Sequence, residues 1–191
     1  MARQKALREF DAPKAVAAIG YLVEETDESL YPVMKMLYLA DKRHLQEFGR
    51  FIAGDEYCAM QQGPVASCAY DMMKRVKDGL PKGDALDVAL DAFEYLPDHQ
   101  IKLRHRPDID ELSESEVSCL QAIVAAYKDV GKWAVREMSH DDAWKEAWDR
   151  RGDEARRGGF IDRESIAKTL DNSDVLIPHL RDKHPGEAKL R

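Results

Sequence analysis

Apolar positions recur at helical spacing through most of this chain. Val16, Ile19, Tyr21, Leu22 and Val23 define a first helix. Asp11 stands where an N-cap belongs, Pro13 suits the first turn, and the helix should end near Thr26. Asp27-Glu28-Ser29 reads as a polar connector, and a second helix begins around Tyr31-Pro32. Residues 33–40 are apolar at every position except Lys35. A helix apolar nearly all round is normally surrounded by others, so this one should be central. Residues 41–47 turn polar and are expected at the surface, with Gly49 as the C-terminal stop.

The pattern then shortens. Phe51-Ile52-Ala53 and residues 56–60 flank Gly54-Asp55. Glycine first in a two-residue loop fits a type II′ turn and predicts a hairpin. Gly63-Pro64 reads as a turn into a helix over 65–77, and 84–94 as another helix. Residues 100–104 alternate polar and apolar, as a half-buried strand does. A lone hairpin is marginal in water, so this strand is expected to join it as a third.

Ser113 and Glu116 have capping-box spacing ahead of Val117, Leu120, Val124 and Tyr127. Gly131 should end that helix, with a shorter one over 132–138 and a break at Ser139-His140. Asp141-Asp142 favour a new helix start through the dipole, and Trp144 and Trp148 share a face of it. Residues 150–159, charged and glycine-rich, read as a loop; Asp162 caps a helix to Leu170, and the chain from Pro185 is a polar tail. The fold class predicted is mainly α (α+β), a helical domain with a small antiparallel sheet over residues 1–149. Residues 150–191 would form a C-terminal helical appendage and tail.

Composition narrows the function. The length of 191 residues suits one core. Lys plus Arg number 29 against 36 acids, a net charge of −7, which argues against a uniformly basic nucleic-acid surface and suits a basic partner. Arg150-Arg151 and Arg156-Arg157 are interleaved with Asp149, Asp153 and Glu154, so they read as a solvated loop and not as a DNA contact. Cys58, Cys68 and Cys119 lack Cys-x-x-Cys spacing and are expected as free, half-buried thiols in a reducing compartment. The N-terminal stretch lacks the apolar core of a signal peptide, and no segment approaches the roughly 20 apolar residues of a membrane span. The expectation is a cytoplasmic protein.

Candidate chemistry is sparse. The six histidines show no metal-ligand spacing, and Gly63-Pro64 lacks the glycine run and Lys-Ser/Thr of a phosphate loop. No nucleophile elbow occurs, and Ser139, His140 and Asp141 are adjacent, whereas triads are assembled from separated segments. Neither an enzyme nor a cofactor is expected. Lys35 must find a partner within its apolar helix or border a groove, and it shares a face with Tyr38. Trp133, Trp144 and Trp148 are expected in the core; an exposed one would be a partner anchor.

The ordered set of motifs resembles a known family. Lys35-x-x-Tyr38-x-Ala40-Asp41, Gly49-Arg50, the hairpin, Gln62-Gly63-Pro64-Val65, Leu112-Ser113 and Ser139-His140 with Trp144 resemble the Panacea domain of SocA-like antitoxins, over residues 13–149. The resemblance implies the antitoxin of a bacterial or prophage toxin–antitoxin pair that neutralises a cognate protein toxin, encoded beside it, by direct binding. It also implies two alternatives: an adaptor handing the toxin to a AAA+ protease, and a phage-associated interaction module without a toxin. The positions it marks are Lys35, Tyr38, Asp41, Arg50, Gln62, Gly63, Pro64, Ser139, His140 and Trp144.

Overall fold

The computed structural model describes residues 10–106, 108–151 and 157–183. Helix α1 (Ala12–Thr26) starts as its sequence dictates, with the Asp11 carboxylate accepting from Lys14 N at 3.1 Å. Helix α2 (Leu30–Phe48) stops at Gly49, whose φ of +71° is left-handed. Every position of α2 from Pro32 to Asp41 is buried. Helix α1, the helices Glu114–Ser139 and Arg163–Lys168 and the strand Gly63–Ala66 all pack on α2, so it is the central element, as its near-continuous apolar run predicts.

The expectation that the second half of this helix is at the surface needs correction at two polar residues. Asp41 and His44 do not emerge at the surface; both are buried. Each stays inside because it finds hydrogen-bond partners there, described below.

The hairpin is displaced from its predicted position. Strand β1 (Tyr57–Met60) pairs antiparallel with β2 (Gly63–Ala66), and the turn is Gln61-Gln62. Phe51-Ile52-Ala53 is not a strand, and Gly63-Pro64 lies inside one. The reason is Asp55. Instead of sitting at a turn tip, its carboxylate is buried and accepts from Glu56 N at 2.7 Å, Cys68 N at 2.9 Å and Ala69 N at 2.9 Å. It thereby caps α3 (Ser67–Asp78) from a distance, because the local N-cap position holds Ala66 and supplies no side-chain acceptor. Helix α3 accordingly begins two residues later than predicted.

The third strand is also reassigned. Residues 101–103 form β4 (Ile101–Leu103), which pairs with β3 (Phe93–Tyr95) in a separate two-stranded sheet. The helix predicted over 84–94 is a 3-10 turn (Ala85–Asp87) and a short α4 (Val88–Ala92) that yields to β3. The strand beside the hairpin is β5 (Arg157–Ile161), antiparallel to β1, giving the order β2-β1-β5. This segment reads as a loop in sequence. One of its glycines is a packing requirement instead: a Cβ on Gly158 would lie 2.7 Å from the Ala147 carbonyl and 2.9 Å from the Ala59 Cβ. Only glycine lets this strand approach helix α6 (Asp142–Asp149) and β1 so closely.

Helix α5 (Glu114–Ser139) opens on the predicted capping box, with Glu116 N donating to Ser113 Oγ and Ser113 N to Glu116 Oε2. It breaks at Gly131, where φ is +75° and ψ 174°. Beyond β5, Asp162 caps α7 (Arg163–Lys168), and α8 (Ser173–Lys183) follows. Helix α8 brings the His179 ring against Gly49, with Nε2 3.0 Å from where a Cβ would stand. Cys58, Cys68 and Cys119 form no disulfide among the described residues and are more deeply buried than expected. No helix among the described residues is long and apolar enough to cross a membrane. The predicted tail from Pro185, Met1–Arg8, Arg156 and His184 lie outside the described residues.

Candidate functional site

Most of the motif positions meet where α2, the β1–β2 hairpin and the α5–α6 junction come together. Lys35 does not pair with Tyr38. Its ammonium donates to the Pro64 carbonyl at 2.7 Å and stands 5.2 Å from the Tyr31 ring centroid. Tyr38 instead donates to Asp141 Oδ2 at 2.9 Å, an oxygen shared with Lys42 Nζ at 2.5 Å. The other Asp141 oxygen accepts from Trp144 N at 3.0 Å, so this one carboxylate caps α6 and ties it to α2.

Gly63 is where the hairpin touches the junction. Its φ is +105°, and a Cβ there would lie 2.8 Å from His140 Nε2 and 3.2 Å from Lys35 Cε. Both the backbone angle and the space require glycine. The His140 ring stacks on Trp144 at 4.1 Å, and Trp144 Nε1 donates to the Met60 carbonyl at 2.9 Å. Ser139 is buried and donates to Arg136 O at 2.7 Å. Gln62 accepts at its backbone carbonyl from Tyr31 Oη and at Oε1 from Arg136 Nε, both at 3.3 Å.

Asp41 and Arg50 belong to a second network. Asp41 accepts from Ile52 N and from Tyr57 Oη, both at 2.6 Å. Tyr57 meets Tyr38 edge-on at 4.8 Å, which joins the two networks through aromatic packing. Arg50 reaches Glu116 Oε1 at 2.5 Å, where Lys14 Nζ also arrives at 3.0 Å. His44 lies between, with Nδ1 donating to Arg50 O at 2.9 Å and Nε2 accepting from Ser115 Oγ at 3.1 Å.

Burial dominates the electrostatics. It pushes the Asp41 carboxyl up to about 7, only partly offset by the Tyr57 and Ile52 donors. Burial, with Arg136 nearby, pulls the Lys35 ammonium down to about 7. The His140 imidazole is lowered for the same reason, against a bond to the Gln62 backbone. Glu116 goes the other way. Burial alone would raise it, but the Ser113 amide, Arg50 and Lys14 hold it at about 2.

Beside these networks lies a cleft of about 320 Å³, with Lys35 in its lining together with Tyr31, Met34, Met60, Val65 and Tyr70. Tyr31 went unmarked in the sequence, although its place one helical turn before Lys35 puts the ring on the same face. Met60 and Val65 carried no signal, because what brings them to α2 is the hairpin. Trp133 corrects another expectation: it is 69% exposed, outside the core, while Trp144 and Trp148 pack against the core. Among the described residues, no group of three or more His, Cys, Asp or Glu side chains is arranged to hold a metal ion.

No curated protein and no solved structure matches the chain. A family model does: the one described as antitoxin SocA-like, Panacea domain, matches residues 33–145. The matched stretch begins within α2 and ends within α6, and so contains all ten motif positions together with the hairpin that joins them. Because the match takes in more than half of the 191 residues, the chain belongs to the SocA-like antitoxin family, with an antitoxin-type role as the function that membership supports.

Proposed function

We propose that this protein is the antitoxin of a bacterial or prophage toxin–antitoxin pair and neutralises a cognate toxin in the cytoplasm by direct, non-catalytic binding. The observation that carries the reading is membership of the antitoxin family across the interlocked core of α2, hairpin and α5–α6. The state of the motif side chains supports a scaffold over an active centre. Ser139 is bonded to Arg136 O, His140 is stacked on Trp144, and Asp141 is held by Tyr38, Lys42 and the α6 amide. Three neighbours held in three directions, two by hydrogen bonds and one by ring stacking, do not form a nucleophile–base relay.

Co-expression with the product of the adjacent gene tests this. The expected result is rescued growth, a stable complex on purification and an unchanged toxin half-life. A toxic neighbour that is neither rescued nor bound would refute the proposal, and a shortened half-life would replace it with delivery to a protease.

A further inference from the structure

Lys35 is a buried amine with no carboxylate partner among the described residues. It is 1% exposed, and among the described residues its amine has one acceptor, the Pro64 carbonyl, for its hydrogens. No carboxylate among the described residues lies within ion-pair distance of it, whereas the neighbouring cations Lys42 and Arg136 pair with Asp141 and Glu137. Structural lysines buried this deeply are normally paired, since an uncompensated charge is costly. The Lys35 side chain also lines the cleft, whose other walls are mostly apolar. Arg136 at the neighbouring rim, bonded to Gln62, is itself balanced by Glu137, which leaves Lys35 as the amine of the cleft that lacks a carboxylate among the described residues.

We infer that the cleft is a socket for an acidic side chain, aspartate or glutamate flanked by apolar residues, on the protein partner, with Lys35 as its counter-cation. The inference rests on the direct-binding reading above. A free small carboxylate could satisfy Lys35 but would leave the wall of Met34, Met60, Val65 and Tyr70 wet. A carboxylate carried on a polypeptide brings neighbours that cover it. Desolvated pairs inside an apolar ring are where interface energy concentrates.

Two measurements on the full chain test this separately. First, propionate, a stand-in for the glutamate side chain, is titrated against protein carrying ¹³C at lysine Cε, with propionamide as the uncharged isostere. Propionate should move the Lys35 resonance and raise its titration midpoint, and propionamide should not. An equal response to both, or none to either, overturns the socket, whatever the partner proves to be. Second, the toxin complex is compared for wild type and Lys35→Met. The variant should weaken binding at least tenfold, and one acid-to-amide substitution on the toxin should cost the wild-type complex affinity but not the Lys35→Met complex. Wild type and variant binding alike, with propionate still shifting Lys35, would overturn the protein side chain as occupant. Should Lys35→Met fail to fold, Val65→Glu, placing a competing carboxylate in the cleft lining, should weaken the complex instead; unchanged affinity would count against the socket. Failure of the wild type to bind any toxin would sink the antitoxin reading and leave the propionate result to judge the socket alone.

Discussion

Asp41 and Glu116 are both buried carboxylates, and they respond to pH in opposite senses. Asp41 is raised from 3.8 to about 7, so between those values the native state holds a proton that the unfolded state has released. Its contribution is therefore complete below pH 3.8 and is lost as pH rises through about 7. Glu116 is lowered from 4.5 to about 2, so its contribution is complete above pH 4.5 and is lost as pH falls through about 2. Asp41→Asn keeps an acceptor for Ile52 N and removes the first titration. Urea denaturation from about pH 2 to 8 should show stability falling less steeply with pH above pH 4 in the variant than in wild type, while the acid limb from Glu116 below pH 4.5 remains. Identical slopes across that range would mean that Asp41 ionises normally in the fold.

The β5 strand shows how a single residue decides whether an element docks. Gly158 stands where any side chain would strike the Ala147 carbonyl, and backbone has little room to give. Gly158→Val should detach β5 from β1, destabilising the protein by about 1–3 kcal/mol, the usual cost of overpacking. Hydrogen exchange would report it, with the amides of β1 that face β5 losing protection while those of α5 keep theirs. Retained protection in β1 would show that the strand tolerates the change. The capping box of α5 is the contrasting case. Ser113 and Glu116 serve amides only three residues away, so the helix starts where its sequence says, whatever packs around it.

Residues 157–183 are integrated with the rest of the molecule. Ile161, Ile166, Leu170, Leu176 and Leu180 are buried in the same core cluster as α1 and α2. Asn172 Nδ2 donates to Gln46 O at 2.9 Å, and His179 closes over Gly49. A chain ending at residue 149 would lose this apolar surface and leave the β1 edge unpaired. It should unfold without a cooperative transition, or aggregate through that edge. A truncated chain with a sharp two-state transition in calorimetry would establish residues 150–191 as a true appendage. Net charge acts at this same scale: a chain at −7 is drawn to a basic partner over a distance, while the Lys35 cleft sorts contacts only at close range.

The features legible along the chain are those satisfied within about one helical turn. Asp11, Gly49, the Ser113–Glu116 box, Gly131, Asp141 and Asp162 each act on amides, carbonyls or backbone angles close by in the chain. The ten motif positions were legible as an ordered set. Their partners were not: Lys35 meets Pro64, Tyr38 meets Asp141, and Asp41 meets Ile52 and Tyr57 across turns and elements that local pattern does not position. Tertiary structure alone decided the sheet. Cys58 pairs with Phe160 because α6 and Gly158 bring β5 to that edge, and residues 101–103, equally strand-like in sequence, find Phe93–Tyr95 nearer. Strand pairing is a choice among distant partners, made by whichever edge the packed helices leave open, so a strand's own alternation names the strand without naming its neighbour.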